Sequence, residues 1–470
     1  MRKTILLLTG ILVLIFSTSV YAQKTDNALA TYTLKNGLKI IVKPDNRAPI
    51  AIIEVWYKVG SSYEPNGITG ISHVLEHLMF DGSKNYPENT YAKIIAQNGG
   101  VENAATSYDY TYYFTKIAAD RLPIVFRLEA DRMQNLTISE QGFAKEIKVV
   151  QEERRLRLVN NPQAQTYERF MAAAYLSVPY HHPVIGWESD LQHMTLNNVR
   201  RWYQTWYAPN NATLVVVGDV VPEQVYQLAE KTFGQIPTRK VPKLKPHPPQ
   251  PPLGTRTIDI KLPAKLPWLL MGYQAPSLKT LPTNKTWQAY ALLVLDGILD
   301  GDDSARLSRD LVRGKEIASS IGSNYNPLQK YTSQYLFAGI PAKNHTIAQL
   351  KAALLAEIKK LQQKPISAQE LKRIKTQVIA SNIYARDSIY IQAMKLGQLA
   401  SLDLPLSLAD DLPNKIAKVT AAQVQAVAKK YLVAKRLTLA ILQPLPLNLQ
   451  QRKNQQTQTP ASAIGSTNVH

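Results

Sequence analysis

An α+β fold built as two units is what this sequence predicts, and three observations predict it. Strand-like and helix-like patterns alternate in both halves of the 470 residues. A proline-dense stretch, 236–254, interrupts them near the middle. The composition, 45% hydrophobic with 19% charged, is that of a chain that buries a core, which excludes disorder of the whole. At this length two domains are the natural division.

The elements follow in order. Arg2 and Lys3 precede an apolar run, Ile5 to Phe16, and Val20-Tyr21-Ala22 ends it as a signal peptidase requires. This predicts a secretory leader over 1–22, cut after Ala22, and a periplasmic or secreted location. The run is short for a membrane span, so an uncleaved anchor is the lesser reading and no transmembrane helix is expected in the mature chain. The sequence has no cysteine, which removes disulfides, thiolate catalysis and thiolate metal ligands; any metal must be held by His, Asp or Glu.

The first unit, 23–235, opens as a hairpin. Thr31 to Leu34 and Leu38 to Val42 flank Asn36-Gly37, a pair that tolerates the positive φ of a tight turn. Ile52 to Val59 reads as the next strand, Ile71 to Phe80 and 140–159 as helices, and Thr213 to Val217 as a strand stopped by Gly218-Asp219. The stretch 236–254 is an extended linker, because so many prolines admit neither helix nor central strand. A second α+β unit is expected over 255–445, with helical periodicity from Thr346 to Gln363, and a disordered tail over 446–470. No sequence repeat between the units is visible by eye.

The net charge of +20 suggests nucleic acid, yet an exported chain rarely meets it and the basic residues are scattered rather than interleaved with aromatics. A solvated basic surface is the plain reading, with attraction to anionic lipid or acidic peptides as its alternative.

Chemistry concentrates in His73-Val74-Leu75-Glu76-His77. On a helix, His73, Glu76 and His77 fall within about a third of the circumference, and Ile71, Val74, Leu75, Leu78 and Met79 fill the rest. A helix that is apolar outside one narrow stripe is a buried helix. Two imidazoles and a carboxylate buried together are costly unless something compensates them. Zn2+ does so, by binding imidazoles at i and i+4 and leaving Glu76 as the base that activates water. A third ligand is then needed. In 140–160, Glu146, Val149, Val150 and Glu153 share a face while Lys145, Lys148, Glu152 and Arg155 turn away, so Glu153 is inward and Glu152 is surface. A helix laced with salt bridges is the competing reading of Glu146 and Glu153.

With these residues the chain resembles the pitrilysin and insulinase family, which includes mitochondrial processing peptidase. His73-x-x-Glu76-His77 is the inverted zinc motif. Gly60-Ser61, Glu64 and Phe80-x-Gly82 resemble its flanks, Gly99 to Thr106 with Asp109, Thr111 and Tyr113 its substrate-strand motif, and Val149 to Glu153 the segment ending in its third zinc ligand. Tyr207 to Thr213 and Gly218-Asp219 match the end of its first domain. The resemblance implies two related domains, each a β-sheet covered by helices on one side, enclosing a chamber. It implies His73, His77 and Glu153 as metal ligands, Glu76 and Glu146 as catalytic and supporting carboxylates, and substrate added as a strand beside Asn103 and Ala104. His181-His182-Pro183 resembles a family loop, although histidines beside proline are usually just exposed.

One departure bears on assembly. The family's second domain carries an arginine and a tyrosine that hold substrate; aligned through Ser304 to Leu307, those positions hold Val312 and Ser319, with Arg313 one residue away. The reading is therefore a zinc endopeptidase subunit acting on extended peptides or unfolded protein, paired with a homologous subunit that lacks the zinc motif and supplies Arg and Tyr. A non-catalytic binding subunit on the same fold is the alternative.

Overall fold

The strand Ile50–Tyr57 is buried at every residue after the first, the mark of a strand covered on both faces. The computed structural model describes residues 28–245 and 247–447; the expected leader over 1–22 and the expected tail beyond 447 lie outside the described residues. In the first half, β1 (Ala30–Thr33), β2 (Lys39–Pro44), β3 (Ile50–Tyr57), β4 (Val101–Thr106), β5 (Thr111–Ala118) and β6 (Ala212–Gly218) form one sheet in the order β1-β2-β6-β3-β5-β4. Its helices are α1 (Ile71–Leu78), α2 (Thr90–Gln97), α3 (Leu122–Asn135), α4 (Glu140–Arg154), α5 (Pro162–Ala174), α6 (Glu188–His193), α7 (Leu196–Trp206) and α8 (Pro222–Phe233). In the second half, β7 (Arg256–Pro263), β8 (Trp268–Ala275), β9 (Ala318–Tyr325), β10 (Ser333–Pro341) and β11 (Leu437–Leu445) form a sheet ordered β7-β11-β8-β10-β9. With them run α9 (Trp287–Asp300), α10 (Ile347–Gln363), α11 (Ala368–Tyr384), α12 (Ile389–Ser401), α13 (Leu408–Ala417) and α14 (Ala421–Tyr431).

The halves are one plan built twice. Strand for strand, β2-β6-β3-β5-β4 returns as β7-β11-β8-β10-β9, with the parallel pair (β2 with β6, β7 with β11) in the same place. Helix α9 follows β8 as α1 follows β3, and α10 to α14 succeed one another as α3 to α7 do. The expected hairpin is present, with Gly37 at φ +87° and Asn36 Nδ2 tied to the carbonyls of Phe233 and Ile236 at 2.8 and 3.0 Å. The stretch 236–254 carries no helix or strand among its described residues. The helix expected over 140–159 ends at Arg154 and continues as a π-helical turn, Arg155–Val159.

Each sheet carries its own helices on one face, against which Ile53, Val55 and Leu214 pack in the first half and Met271, Phe337 and Leu439 in the second. The opposite face is covered by a helix from the other half. Phe170, Met171 and Ala174 of α5 pack on Leu270, Leu336 and Ala440 of the second sheet. Ala393, Leu396 and Leu399 of α12 pack on Ile52, Trp56 and Val217 of the first. A glycine makes room at each crossing: a Cβ on Gly272 would stand 2.3 Å from Phe170, and one on Gly397 would stand 2.0 Å from Trp56. Each fully buried large apolar side chain contributes about 1.5–3 kcal/mol, so the exchanged helices, more than the proline stretch, hold the halves together.

Candidate metal centre

The site begins with how α1 is aimed. Gly70 precedes it at φ +86°, and its backbone meets that of Ile185 and Gly186 so closely that a Cβ would stand 2.4 Å from the Ile185 carbonyl. No side chain at the N-cap takes the orphaned N–H groups. Glu64 does so instead, accepting from Gly70 N at 2.7 Å and Ser72 N at 2.8 Å. Burial nevertheless pushes the Glu64 carboxyl up to about 8, those N–H groups opposing it. Upstream, Gly60 lets the β4–β5 turn approach, since a Cβ there would meet the Ser107 carbonyl at 2.3 Å. The segment 60–64 thus fixes the helix and the turn to each other.

On α1, Ile71, Val74, Leu75 and Leu78 are buried in the first core, and His73 and His77 project together, their rings 4.9 Å apart and nearly perpendicular. Helix α4 crosses α1 and brings Glu153 to both: its Oε2 lies 3.6 Å from His73 Nε2 and 3.4 Å from His77 Nε2. These spacings are long for hydrogen bonds and suit a metal. Two bonds of ~2.05 Å at the tetrahedral angle place donor atoms about 3.3 Å apart. Ligand atoms of His73, His77 and Glu153 all lie within 4.8 Å of one another, the one such group among the described residues. Burial pushes His73 down to about 4, keeping it the neutral imidazole that a metal binds. Burial also pulls on His77, but Glu153, Glu76 and Glu146 outweigh it and raise its pKa. For Glu153 burial is outweighed by His77, His73 and Arg157, and its pKa is lowered.

Glu146 stands outside this triangle. Its Oε2 is 3.2 Å from His77 Nδ1, the geometry by which a carboxylate orients a ligating histidine. Its contact with the site is the ring of His77, and it is not one of the three convergent groups. Glu76 faces the same space, with its Oε2 accepting from the Thr106 hydroxyl, and burial raises its carboxyl to about 7. Thr106 closes β4, whose other side is an open edge of the sheet. Asn103 and Ala104 lie on that strand, and the Ala104 N–H is taken by Asn103 Oδ1 at 2.8 Å.

The residues singled out in the sequence converge, with three differences. Glu153 is inward and Glu152 outward, with side chains 17% and 52% exposed, but Val149 does not frame Glu153 from within: it is 43% exposed beside Leu156. The α4 face opens there into a shallow apolar hollow lined by Val149, Leu156 and Arg157. His182 is 1% exposed, not a surface histidine, because its loop is pressed against the start of α1 at Gly70 and Gly186. Arg313 is spent on the Asp303 carbonyl, while Ser319 lies exposed on β9. Thr106 was missed as a partner of Glu76, though it ends the motif that flagged Asn103 and Ala104.

A family model described as Insulinase (Peptidase family M16) matches residues 39–186, and one described as Peptidase M16 inactive domain matches 193–378. Zinc protease PqqE of Helicobacter pylori is 34% identical over 385 residues, covering 79% of this chain and 83% of that protein. A probable mitochondrial-processing peptidase subunit beta of Arabidopsis thaliana is 26% identical, covering 88% of this chain and 78% of that protein. A solved protease from Helicobacter pylori superposes with a TM-score of 0.84 at 31% identity, covering 89% of this chain and 100% of that chain. The periplasmic protease PqqL from Escherichia coli shares the fold at a TM-score of 0.76 and 19% identity, covering 95% of this chain and 52% of that one.

Proposed function

The chain belongs to the insulinase family of peptidases, family M16, and from that premise we propose that it is a zinc-dependent endopeptidase subunit of the bacterial envelope. Its substrates on this reading are extended peptides or unfolded segments. The observation that carries the proposal is the convergence of His73, His77 and Glu153 with an unligated carboxylate, Glu76, beside them. Zinc held by those three residues would polarise the scissile carbonyl and the attacking water. Glu76 takes a proton from that water and returns one to the leaving amine. Thr106 holds Glu76 by its hydroxyl, and Glu146 holds the ring of His77. The open edge of β4 at Asn103 and Ala104 receives the substrate backbone as an added strand, bringing the scissile bond past the base.

The proposed envelope location is supported by the leader pattern at the N-terminus and by a structural relative titled a periplasmic protease. Among the described residues no helix is long and apolar enough to cross a membrane. The proposed assembly is a heterodimer with a homologous chain that lacks the zinc motif. Val312 and Ser319 stand where donors to substrate are expected. The Escherichia coli relative is about twice as long, room for two such units in one chain. Purifying the chain and assaying unfolded peptides, alone and with the partner, with and without chelator, tests the proposal. Chelator-sensitive cleavage that needs the partner is expected. Full turnover by the chain alone would remove the heterodimer, and bound zinc without turnover in either arm would favour the non-catalytic alternative.

A further inference from the structure

A buried carboxylate outside the metal centre ties the second half of the molecule to the base. Asp109, at the tip of the β4–β5 turn, is 4% exposed and accepts three hydrogen bonds. Ser62 Oγ reaches its Oδ1 at 2.9 Å; the Tyr180 hydroxyl and the backbone N–H of Lys330, the latter at 3.0 Å, reach its Oδ2. The donors come from three segments: the strap before α1, the loop pressed on Gly70, and the β9–β10 turn of the second half. The Tyr180 hydroxyl also receives the Lys330 and Tyr331 N–H groups, at 3.0 and 3.3 Å. Lys330 adds a second grip, its ammonium standing 3.7 Å over the ring of Tyr63 in the strap. A carboxylate buried among so many donors is costly unless every bond is made, so the four segments keep one arrangement.

That arrangement reaches the base. Ser61 N and Ser62 N bond the carbonyls of Ser107 and Tyr108 at 3.1 and 2.7 Å, locking the turn to the strap. The turn begins one residue after Thr106, whose hydroxyl holds Glu76 and is approached at 3.5 Å by that of Thr111. Glu64, at the other end of the strap, fixes the start of the helix that carries Glu76. Thr106 and Glu76 therefore meet only while strap, turn and second half stay in register. We infer that Asp109 is a positioning residue for the peptidase reaction: it docks the second half on the β4–β5 turn and so sets the Thr106 hydroxyl on Glu76. This rests on the peptidase reading above and gives the second half a part in that reaction although it holds no ligand.

The test is a double-mutant cycle in whichever assembly turns over peptide. Asp109→Asn keeps the size of the side chain but turns an amide donor toward two donors. It should lower kcat about 10- to 100-fold, the scale of a small misplacement of a catalytic group, with KM and zinc content unchanged. In a Thr106→Val background the same change should cost no more than about two-fold, because the contact it serves is already gone. Additive losses, or a loss confined to KM, would overturn the inference. Hydrogen exchange gives a readout free of activity: Asp109→Asn should speed exchange in 104–111 and in 326–331 but leave β6 as in the wild type. Unchanged exchange in 326–331 would overturn the inference. Faster exchange there in a chain that never cleaves peptide would uphold the junction and count against the peptidase reading. Ser62→Ala, which removes one bond of the three, should lower kcat in the same direction by less; no effect on kcat or exchange would also overturn it.

Discussion

Helix α1 of the first half and α9 of the second occupy the same place in one plan, and they are opposites. Helix α1 spans eight residues and spends one stripe on His73, Glu76 and His77. Helix α9 spans fourteen, with Ala289, Leu292, Leu295, Ile298 and Leu299 buried, and no histidine. Its acidic groups are internal: Asp296 accepts from Ser323 Oγ at 2.7 Å and Asp300 from Ser323 N at 2.8 Å. In the first half the carboxylate of α1 meets a hydroxyl of the edge strand and stays beside the triangle of His73, His77 and Glu153. In the second, the carboxylates are consumed in bonding the edge strand itself. The fold therefore supplies a frame, and a few side chains on its first helix decide whether the frame holds chemistry.

Glu76→Gln should sharpen that contrast most, because it removes the proposed base and leaves every proposed ligand. A loss of about 100- to 10,000-fold in kcat is expected with zinc retained, measured by peptide cleavage beside elemental analysis. Asp296→Asn on α9, the counterpart helix, should leave kcat and zinc as they are. A matching loss would break the division between the halves. Next, Glu146→Gln should weaken zinc binding about 10- to 100-fold, as loss of an outer carboxylate partner does, read in a competition titration with a chelator. An unchanged affinity would leave Glu146 as no more than a buried salt-bridge partner of Lys145.

Structurally the halves should prove symmetric where they are chemically unlike. Gly272→Ala and Gly397→Ala each place a methyl against a buried aromatic ring, and each should destabilise the fold by about 1–3 kcal/mol in denaturant unfolding. If only one did so, the two exchanged helices would not be equivalent clasps. The smallest effect concerns Glu54, buried beneath α12, with Trp56 Nε1 donating to its Oε2 at 2.7 Å and its Oε1 unpartnered. Burial raises its carboxyl to about 8. From about pH 4 to pH 8 the native state then holds a proton that the unfolded chain has lost, so stability falls as pH rises through that window. Glu54→Gln removes this slope, so its stability relative to wild type should rise from pH 4.5 to pH 8. Parallel pH dependence of the two would contradict it.

Much of this was legible in the sequence because local physics fixed it. The polar stripe on an apolar helix identified His73, Glu76 and His77, and seven-residue spacing turned Glu146 and Glu153 to one side. Asn36-Gly37 marked a turn, and the periodicity from Thr346 to Gln363 marked a helix that the structure places at Ile347–Gln363 with Thr346 as its cap. The repeat was not visible because the two halves keep the pattern and change the residues. Its clearest trace is Thr195 with Asn198 and Thr420 with Gln423, two capping boxes each followed by a helix and a strand buried over its first four residues. The exchange of α5 and α12 was beyond reach for a different reason. An apolar face states that a helix is buried, and says nothing of which sheet buries it.

The central claim is that the metal centre is built wholly by the first half, with Glu153 and not Glu152 closing it. The most direct measurement is zinc per chain after dialysis, by elemental analysis, in wild type and in Glu76→Gln, Glu152→Gln and Glu153→Gln. The account predicts about one zinc per chain for the first three and close to none for Glu153→Gln, whose carboxylate oxygen faces both histidines. Zinc kept by Glu153→Gln and lost from Glu152→Gln would contradict it.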